Sequence, residues 1–318
     1  MHRKEKFKEL INQPKKASIY HIEVKKNTLN KDKVIIASIV AIVLICLIII
    51  ICELIKENHK NESQALEYQQ EAEQIEQQQE NEDNQKKDEE EKAKQAKIPQ
   101  LTDVGRENMK HIYSSDKKRV FLTFDDGPST NTSAILDTLK QNQVVATFFE
   151  LGSRVDAMPD MVKRAYDEGH YIASHGYSHI YSQIYAAPEN VLTEYNQCVD
   201  SIRKAIGVDN YDPHLFRFPG GTPGGPYNDV KAQAKDLLNQ NNILNVDWNA
   251  LSGDAEGNDL PSEKLMVRLN ETVGNKQSVV LLMHDSQAKT TTVETLPQII
   301  AFFRDRGYEF KNFYEIIK

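Results

Sequence analysis

Three cysteines in 318 residues are too few for a disulfide framework. Cys46 and Cys52 fall in an apolar run, so Cys198 stands alone in the rest of the chain. A disulfide-stapled secreted scaffold is excluded, and Cys198, placed in a helical pattern, reads as an inert buried thiol. Basic charge is short where nucleic-acid binding would need it: residues 99–318 hold 22 Lys/Arg against 29 Asp/Glu. Binding to a phosphate backbone rests on the opposite balance, so no nucleic-acid partner is expected. No internal repeat is evident. Residues 53–97 have neither Gly nor Pro, and their apolar residues (Leu66, Ile75) are too sparse for a sustained heptad. A solvated, partly helical spacer is expected there, reaching ~65 Å if helical throughout and ended by Pro99.

Charge is missing altogether from residues 34–52, "VIIASIVAIVLICLIIIIC". As a helix this run is ~28 Å long, about the thickness of a bilayer's hydrocarbon. It is longer than the h-region of a cleaved signal peptide, and no small-x-small site follows. No polar face marks it as a soluble core helix. Residues 1–33 carry ten Lys/Arg against four Asp/Glu, which places the N-terminus in the cytoplasm and everything after Glu53 outside. The predicted organisation is a cytoplasmic basic segment 1–33, a single transmembrane helix 34–52, a Glu/Gln/Lys-rich spacer 53–98 and a folded domain 99–318 on the outer face of a cell membrane. An exported domain without disulfides fits a bacterial, Gram-positive-type envelope.

From about residue 101, short β-rich runs alternate with helix-length segments. Strands are predicted at 119–124, 145–151, 171–174, 214–218, 243–247 and 278–283. Helices are predicted at 131–142, 158–168, 188–206, 229–240, 261–273 and 292–306. Pro159, Pro188 and Pro261 suit helix starts, and Gly169, Gly207 and Gly307 suit helix ends. This α/β alternation predicts a distorted, incomplete (β/α) barrel.

The unusual polar residues gather at the C-terminal ends of these strands. Asp125 and Asp126 follow 119–124. His175 follows 171–174, with His179 four residues on. Arg217 lies in 214–218, before Pro219-Gly220-Gly221. Asp247-Trp248 closes 243–247, and His284-Asp285 closes 278–283. In a (β/α) barrel those ends share one face, where active sites sit. Two adjacent carboxylates repel unless something positive lies between them. One aspartate with His175 and His179 makes a facial ligand set for one divalent ion, Zn²⁺ or a related metal such as Co²⁺, Mn²⁺ or Fe²⁺, leaving the other free for proton transfer. His170 and His214 precede their strands and read as structural. Asp285 reads as a loop cap, Trp248 as either a sugar platform or core, and Asp254 of "SGDA" as near the site without a role. The aromatic set near 303–314 reads as amphipathic packing.

"TFDDGP", "SHGYSH", "RFPGG", "DW" and "LLMHD" resemble, in order and spacing, the five motifs of the NodB-type polysaccharide deacetylases, carbohydrate esterase family 4. The resemblance covers about residues 118–318. It implies a distorted (β/α) barrel and metal-dependent removal of acetyl groups from a glycan. Carried over, Asp125 resembles the general base, Asp126, His175 and His179 the metal ligands, Arg217 the group orienting the base, and His284 the general acid. Leu282 resembles the apolar wall beside the acetyl methyl, and Gly220 the position whose N–H faces the oxyanion. Asp247 and Trp248 resemble the fourth motif. Gly176 departs from the family, which has Ser or Thr after the first histidine. The chemistry is coherent: Asp125 takes a proton from water, Arg217 favours its carboxylate form, His284 donates to the leaving amine, and Asp247 is expected to hold His284 protonated. The expected substrate is N-acetylglucosamine in peptidoglycan. Muramic acid residues, an exopolysaccharide or O-acetyl esters are alternatives, as is a non-catalytic glycan-binding module, which would have no use for an acid–base pair.

Overall fold

The computed structural model describes residues 31–258 and 260–317. The basic segment 1–33 lies outside the described residues except for its last three. Lys31–Ala96 is one continuous helix that takes in both the apolar run and nearly all of the spacer. It is long and apolar enough to cross a membrane, and the side chains of its apolar run are exposed. The chain divides into two compact units between residues 84 and 85.

The second unit is built on eight parallel strands: β1 Arg119–Gly127, β2 Thr147–Glu150, β3 Tyr171–Ser174, β4 Leu215–Phe216, β5 Leu244–Asn245, β6 Ala250–Leu251, β7 Ser278–His284 and β8 Glu309–Lys311. Their order is β5-β4-β3-β2-β1-β7-β6, with β8 pairing the start of β1. This order forces curvature. β5 and β6 lie at opposite edges, which in a flat sheet would be six spacings apart, about 29 Å. Only residues 246–249 join them, and five Cα steps reach about 19 Å at most. The sheet therefore curls into an incomplete barrel whose two edges are bridged by chain rather than by a ladder.

Alternation along the strands sorts the core into two layers. On β1, Val120, Leu122 and Phe124 pack outward under the helices. Phe121 packs inward with Phe149, Tyr171, Leu215, Val280 and Phe313. Phe313 stacks on Phe121 at 5.2 Å between ring centres, and with Met109, Ile112, Ile316 and Ile317 it fills the closed end of the barrel. The open end is left to polar groups.

The predicted helices are present, each shifted by two residues or fewer at either end. Pro188–Ile206 matches its predicted limits and ends on Gly207 at φ 70°, where a left-handed cap favours glycine. The strand predicted at 243–247 shrinks to Leu244–Asn245 because the chain leaves the ladder to cross the gap. Arg217 Nε and Nη2 bond the freed carbonyls of Val246 and Asp247 at 3.2 and 3.1 Å. β6 and β8, two and three residues long, were not expected. The sequence predicts only packing around 309–311, yet Glu309–Lys311 pairs in register with Arg119–Phe121.

Candidate active site

β1 brings both its carboxylates to the open end by breaking its own alternation. Asp125 faces inward in sequence with Phe121 and Thr123, and an unbroken strand would send Asp126 out under the helices. Instead the β1–β2 register shifts between Asp125 and Gly127, and Asp126 takes φ 71°. This is a bulge with its extra residue in the left-handed region, which Asp tolerates better than most side chains.

Asp126 meets the histidines of the next strand end. One ligand atom each from Asp126, His175 and His179 lie within 4.8 Å of one another. Asp126 Oδ1 is 3.7 Å from His175 Nε2 and 3.5 Å from His179 Nε2. It is buried, and no hydrogen-bond donor among the described residues reaches it. A buried carboxylate oxygen without a donor is costly unless a cation answers it. His175 Nδ1 lies 2.8 Å from the Arg217 carbonyl, which fixes Nδ1 as the protonated nitrogen and turns Nε2 to the cluster. Burial holds the His175 imidazole below its usual pKa, against the pull of Asp125 and Asp126, as a ligand requires. The three residues fit a divalent ion with open coordination positions.

Asp125 is 2% exposed. Its Oδ1 accepts from Arg217 Nη1 at 2.7 Å, while Oδ2 lies 3.8 Å from His175 Nε2. Arg217 is fully buried. The same Nη1 also donates to Thr123 Oγ1 at 2.7 Å, and the guanidinium lies 3.9 Å over the Phe149 ring. Asp125 pairs directly with His284 in the β1–β7 register, as Thr123 does with Leu282. Leu282 thus lies on the inward face one step below the two polar residues.

His284 has a partner, but it is Asp254 and not Asp247. His284 Nδ1 is 2.9 Å from Asp254 Oδ1, and its backbone N–H donates to Asp254 Oδ2 at 2.7 Å. Burial opposes the imidazolium, yet the Asp254 bond and charge outweigh it and raise its pKa to about 9. Burial likewise opposes the Asp254 carboxylate, but the His284 contacts and the Thr292 hydroxyl hold its pKa below the usual range. Asp247 turns away, its Oδ1 accepting from Thr222 N and Oγ1 at 2.9 and 3.1 Å. The expectation for Asp247 fails because the chain crosses the gap after β5, re-enters as β6, and only then reaches the edge next to His284. Lys289 Nζ secures this arrangement by donating to the carbonyls of Asp254 and Gly257.

Gly220 is exposed with φ 76°. Trp248 is half-buried and packs against the inner core. A Cβ on Gly221 would stand 3.0 Å from the Trp248 ring. Sequence reasoning missed Glu194, whose carboxylate accepts from Tyr177 N, Ser178 N and Ser178 Oγ at 2.6, 2.7 and 2.6 Å. It thereby holds the loop between the two histidines. The signal was there: Glu194 interrupts the apolar stripe Val191, Tyr195, Cys198, Ile202 of its helix. Gly176 also becomes intelligible, because φ is 91° there and a Cβ would stand 3.3 Å from Glu194 Oε2. Asp285 accepts from Ser129 and Thr132, both at 2.6 Å, as a loop cap does. His170 is buried and its Nδ1 accepts from Ala146 N, a structural role. His214 Nδ1 lies 3.0 Å from the Asn242 carbonyl, also structural. Burial raises the Cys198 thiol to about 12, so it is inert.

A family model described as polysaccharide deacetylase matches residues 113–242. A peptidoglycan-N-acetylglucosamine deacetylase of Bacillus cereus is 30% identical over 232 residues, covering 70% of this chain and 81% of that one. A putative polysaccharide deacetylase of Bacillus subtilis is 33% identical over 208 residues, covering 64% and 70%. Among solved structures, a CE4 esterase of Streptococcus mutans superposes with a TM-score of 0.58 at 30% identity, covering 67% of this chain and 92% of that one. A Bacillus cereus polysaccharide deacetylase gives 0.55 at 31%, covering 62% and 92%. The chain belongs to the polysaccharide deacetylase family, carbohydrate esterase family 4. It is a hydrolase with the curled parallel half-barrel of that family.

Proposed function

We propose that this chain is a metal-dependent N-deacetylase acting on N-acetylglucosamine of peptidoglycan, anchored by residues 34–52 with residues 1–33 inside and residues 99–318 outside, joined by the 53–98 spacer. The observation that carries the reading is that Asp125 and His284, each with its own buried partner, are paired across β1 and β7, with Asp125 beside the Asp126–His175–His179 cluster. Asp126, His175 and His179 would hold the ion, Zn²⁺ in this reading. When bound, it acidifies water and polarises the acetyl carbonyl. Asp125 accepts the water proton on Oδ2, because Oδ1 is engaged by Arg217. His284 donates from Nε2 to the departing amine, because Nδ1 is engaged by Asp254. The Gly220 N–H is available to the developing oxyanion, with Leu282 and Trp248 as apolar walls. Asp247 holds the Gly220 loop through Thr222.

The substrate rests on two supports: the relatives named for peptidoglycan, and a membrane-length helix ahead of the domain. Purified full chain, loaded with a divalent ion, is expected to release acetate from peptidoglycan and to stop when the ion is chelated. If acetate appears only from a different glycan, the substrate assignment falls. If none appears from any glycan or acetyl ester, the enzymatic reading falls with it. Protease added to intact wall-stripped cells should digest the domain, and protection there would reverse the orientation.

A further inference from the structure

We propose that Tyr181 is a substrate-binding residue of this site, its hydroxyl bonding the glycan and its ring flanking the sugar between His179 and Gly220. The inference rests on the deacetylase reading above. Tyr181 opens the one-turn helix Tyr181–Ile184, two residues after His179, and its ring centre lies 5.4 Å from that imidazole. On the other side it reaches the loop after β4. A Cβ on Gly220 would stand 2.7 Å from Tyr181 Oη. The hydroxyl therefore occupies the space that any side chain at position 220 would take. Glycine there, already suited by its positive φ, is what lets the tyrosine reach the site.

The ring is held in place. Tyr185 meets it edge-on at 5.6 Å and Tyr227 at 6.4 Å. Tyr185 is buried and spends its hydroxyl on the Pro219 carbonyl at 2.6 Å, which ties the tyrosines to the Gly220 loop. Tyr181 differs from Tyr185 in both respects. It is 38% exposed, and its hydroxyl makes no hydrogen bond to any described residue. A tyrosine needed only for packing would be buried or would satisfy its hydroxyl. An anchored, half-open aromatic with an unspent donor, beside the reacting centre, has the chemistry of a sugar contact: an apolar face for ring C–H groups and one placed polar group for a hydroxyl or acetamido oxygen.

The test compares the full chain with Tyr181→Phe and Tyr181→Ala on two substrates, a chito-oligosaccharide and the sugar-free ester para-nitrophenyl acetate. Tyr181→Phe removes only the hydroxyl. It is expected to lower the ratio of kcat/KM on the oligosaccharide to kcat/KM on the ester by about 3–10-fold, the worth of one hydrogen bond, mainly through KM. Tyr181→Ala should lower it further. Metal per chain should stay unchanged in both. Equal losses on the two substrates would mean that Tyr181 serves the acetyl group or the ligands, and the glycan role is overturned. Loss of bound metal, or a Tyr181→Phe enzyme indistinguishable from the parent on the oligosaccharide, overturns it too. Failure of the underlying reading is recognised separately, since the parent chain then releases no acetate. In that case oligosaccharide affinity with and without Tyr181→Phe still decides whether the contact exists.

Discussion

Asp125 and Asp126 are chemically identical neighbours in opposite surroundings. One is answered by a buried guanidinium; the other faces two imidazoles, and no donor among the described residues reaches its Oδ1. Their substitutions should separate accordingly. Asp126→Ala, His175→Ala and His179→Ala are each expected to lose bound metal and activity together. Asp125→Asn should keep the metal and lose roughly 10²–10⁴-fold in kcat. Metal content per chain beside single-turnover rates checks this, and equal metal loss in Asp125→Asn would end the division of labour. His284 adds a pH signature. Its pKa is raised to about 9, so the imidazolium is present below that pH and is lost as pH rises through it. The alkaline limb of kcat/KM should therefore fall near pH 9. The same sign governs stability: the Asp254–His284 pair contributes fully below the unfolded histidine's value, about 6.5, and its contribution fades as pH climbs towards 9. Asp254→Asn removes the supporting charge and leaves the burial, so the limb should move to lower pH. A limb that stays in place in this variant would assign it to another group.

The loop between β3 and the helix Tyr181–Ile184 carries both histidines, and Glu194 is its clamp. Glu194→Gln keeps the size but has only one acceptor oxygen for three donors. It should weaken metal affinity by roughly 10–100-fold, as loss of a supporting partner behind metal ligands does. Equilibrium metal titration reads this directly, and Glu194→Asp should recover little because the side chain no longer reaches. Affinity unchanged in Glu194→Gln would show that the loop holds itself. Glu194 also marks the limit of what sequence conveyed. Helices were legible because caps and apolar periodicity are local: Pro188 and Gly207 bracket theirs to the residue. The gathering of Asp125, Asp126, His175 and His179 at one end of the sheet was legible because carboxylates and imidazoles at strand ends have few other uses. The partner of His284 was not, because it depends on β5 and β6 lying at opposite edges of a curled sheet. No alternation can be read from strands of two residues, and nothing local distinguishes Asp254 from Asp247. The bulge at Asp126 was equally hidden, being a register shift against another strand.

At the scale of the molecule, the gap between β5 and β6 is spanned by residues 246–249, and Arg217 ties that bridge to the first strand. Its guanidinium binds the bridge through Val246 and Asp247 and the first strand through Thr123 and Asp125. Arg217→Met should therefore cost stability as well as rate. Leaving Asp125 buried and unpaired is worth about 3–5 kcal/mol. Adding Asp125→Asn to Arg217→Met should return part of that loss. Denaturant melts of the two single variants and the double one measure this coupling, and strictly additive losses would deny it. The consequence reaches past stability. A chain whose bridge has peeled away retains every residue of the proposed catalytic set but no longer holds Asp125 in its orientation. Turnover then works as a gauge of ring closure: a molecule left ajar is silent, and hydrolysis begins only when the last stitch is drawn.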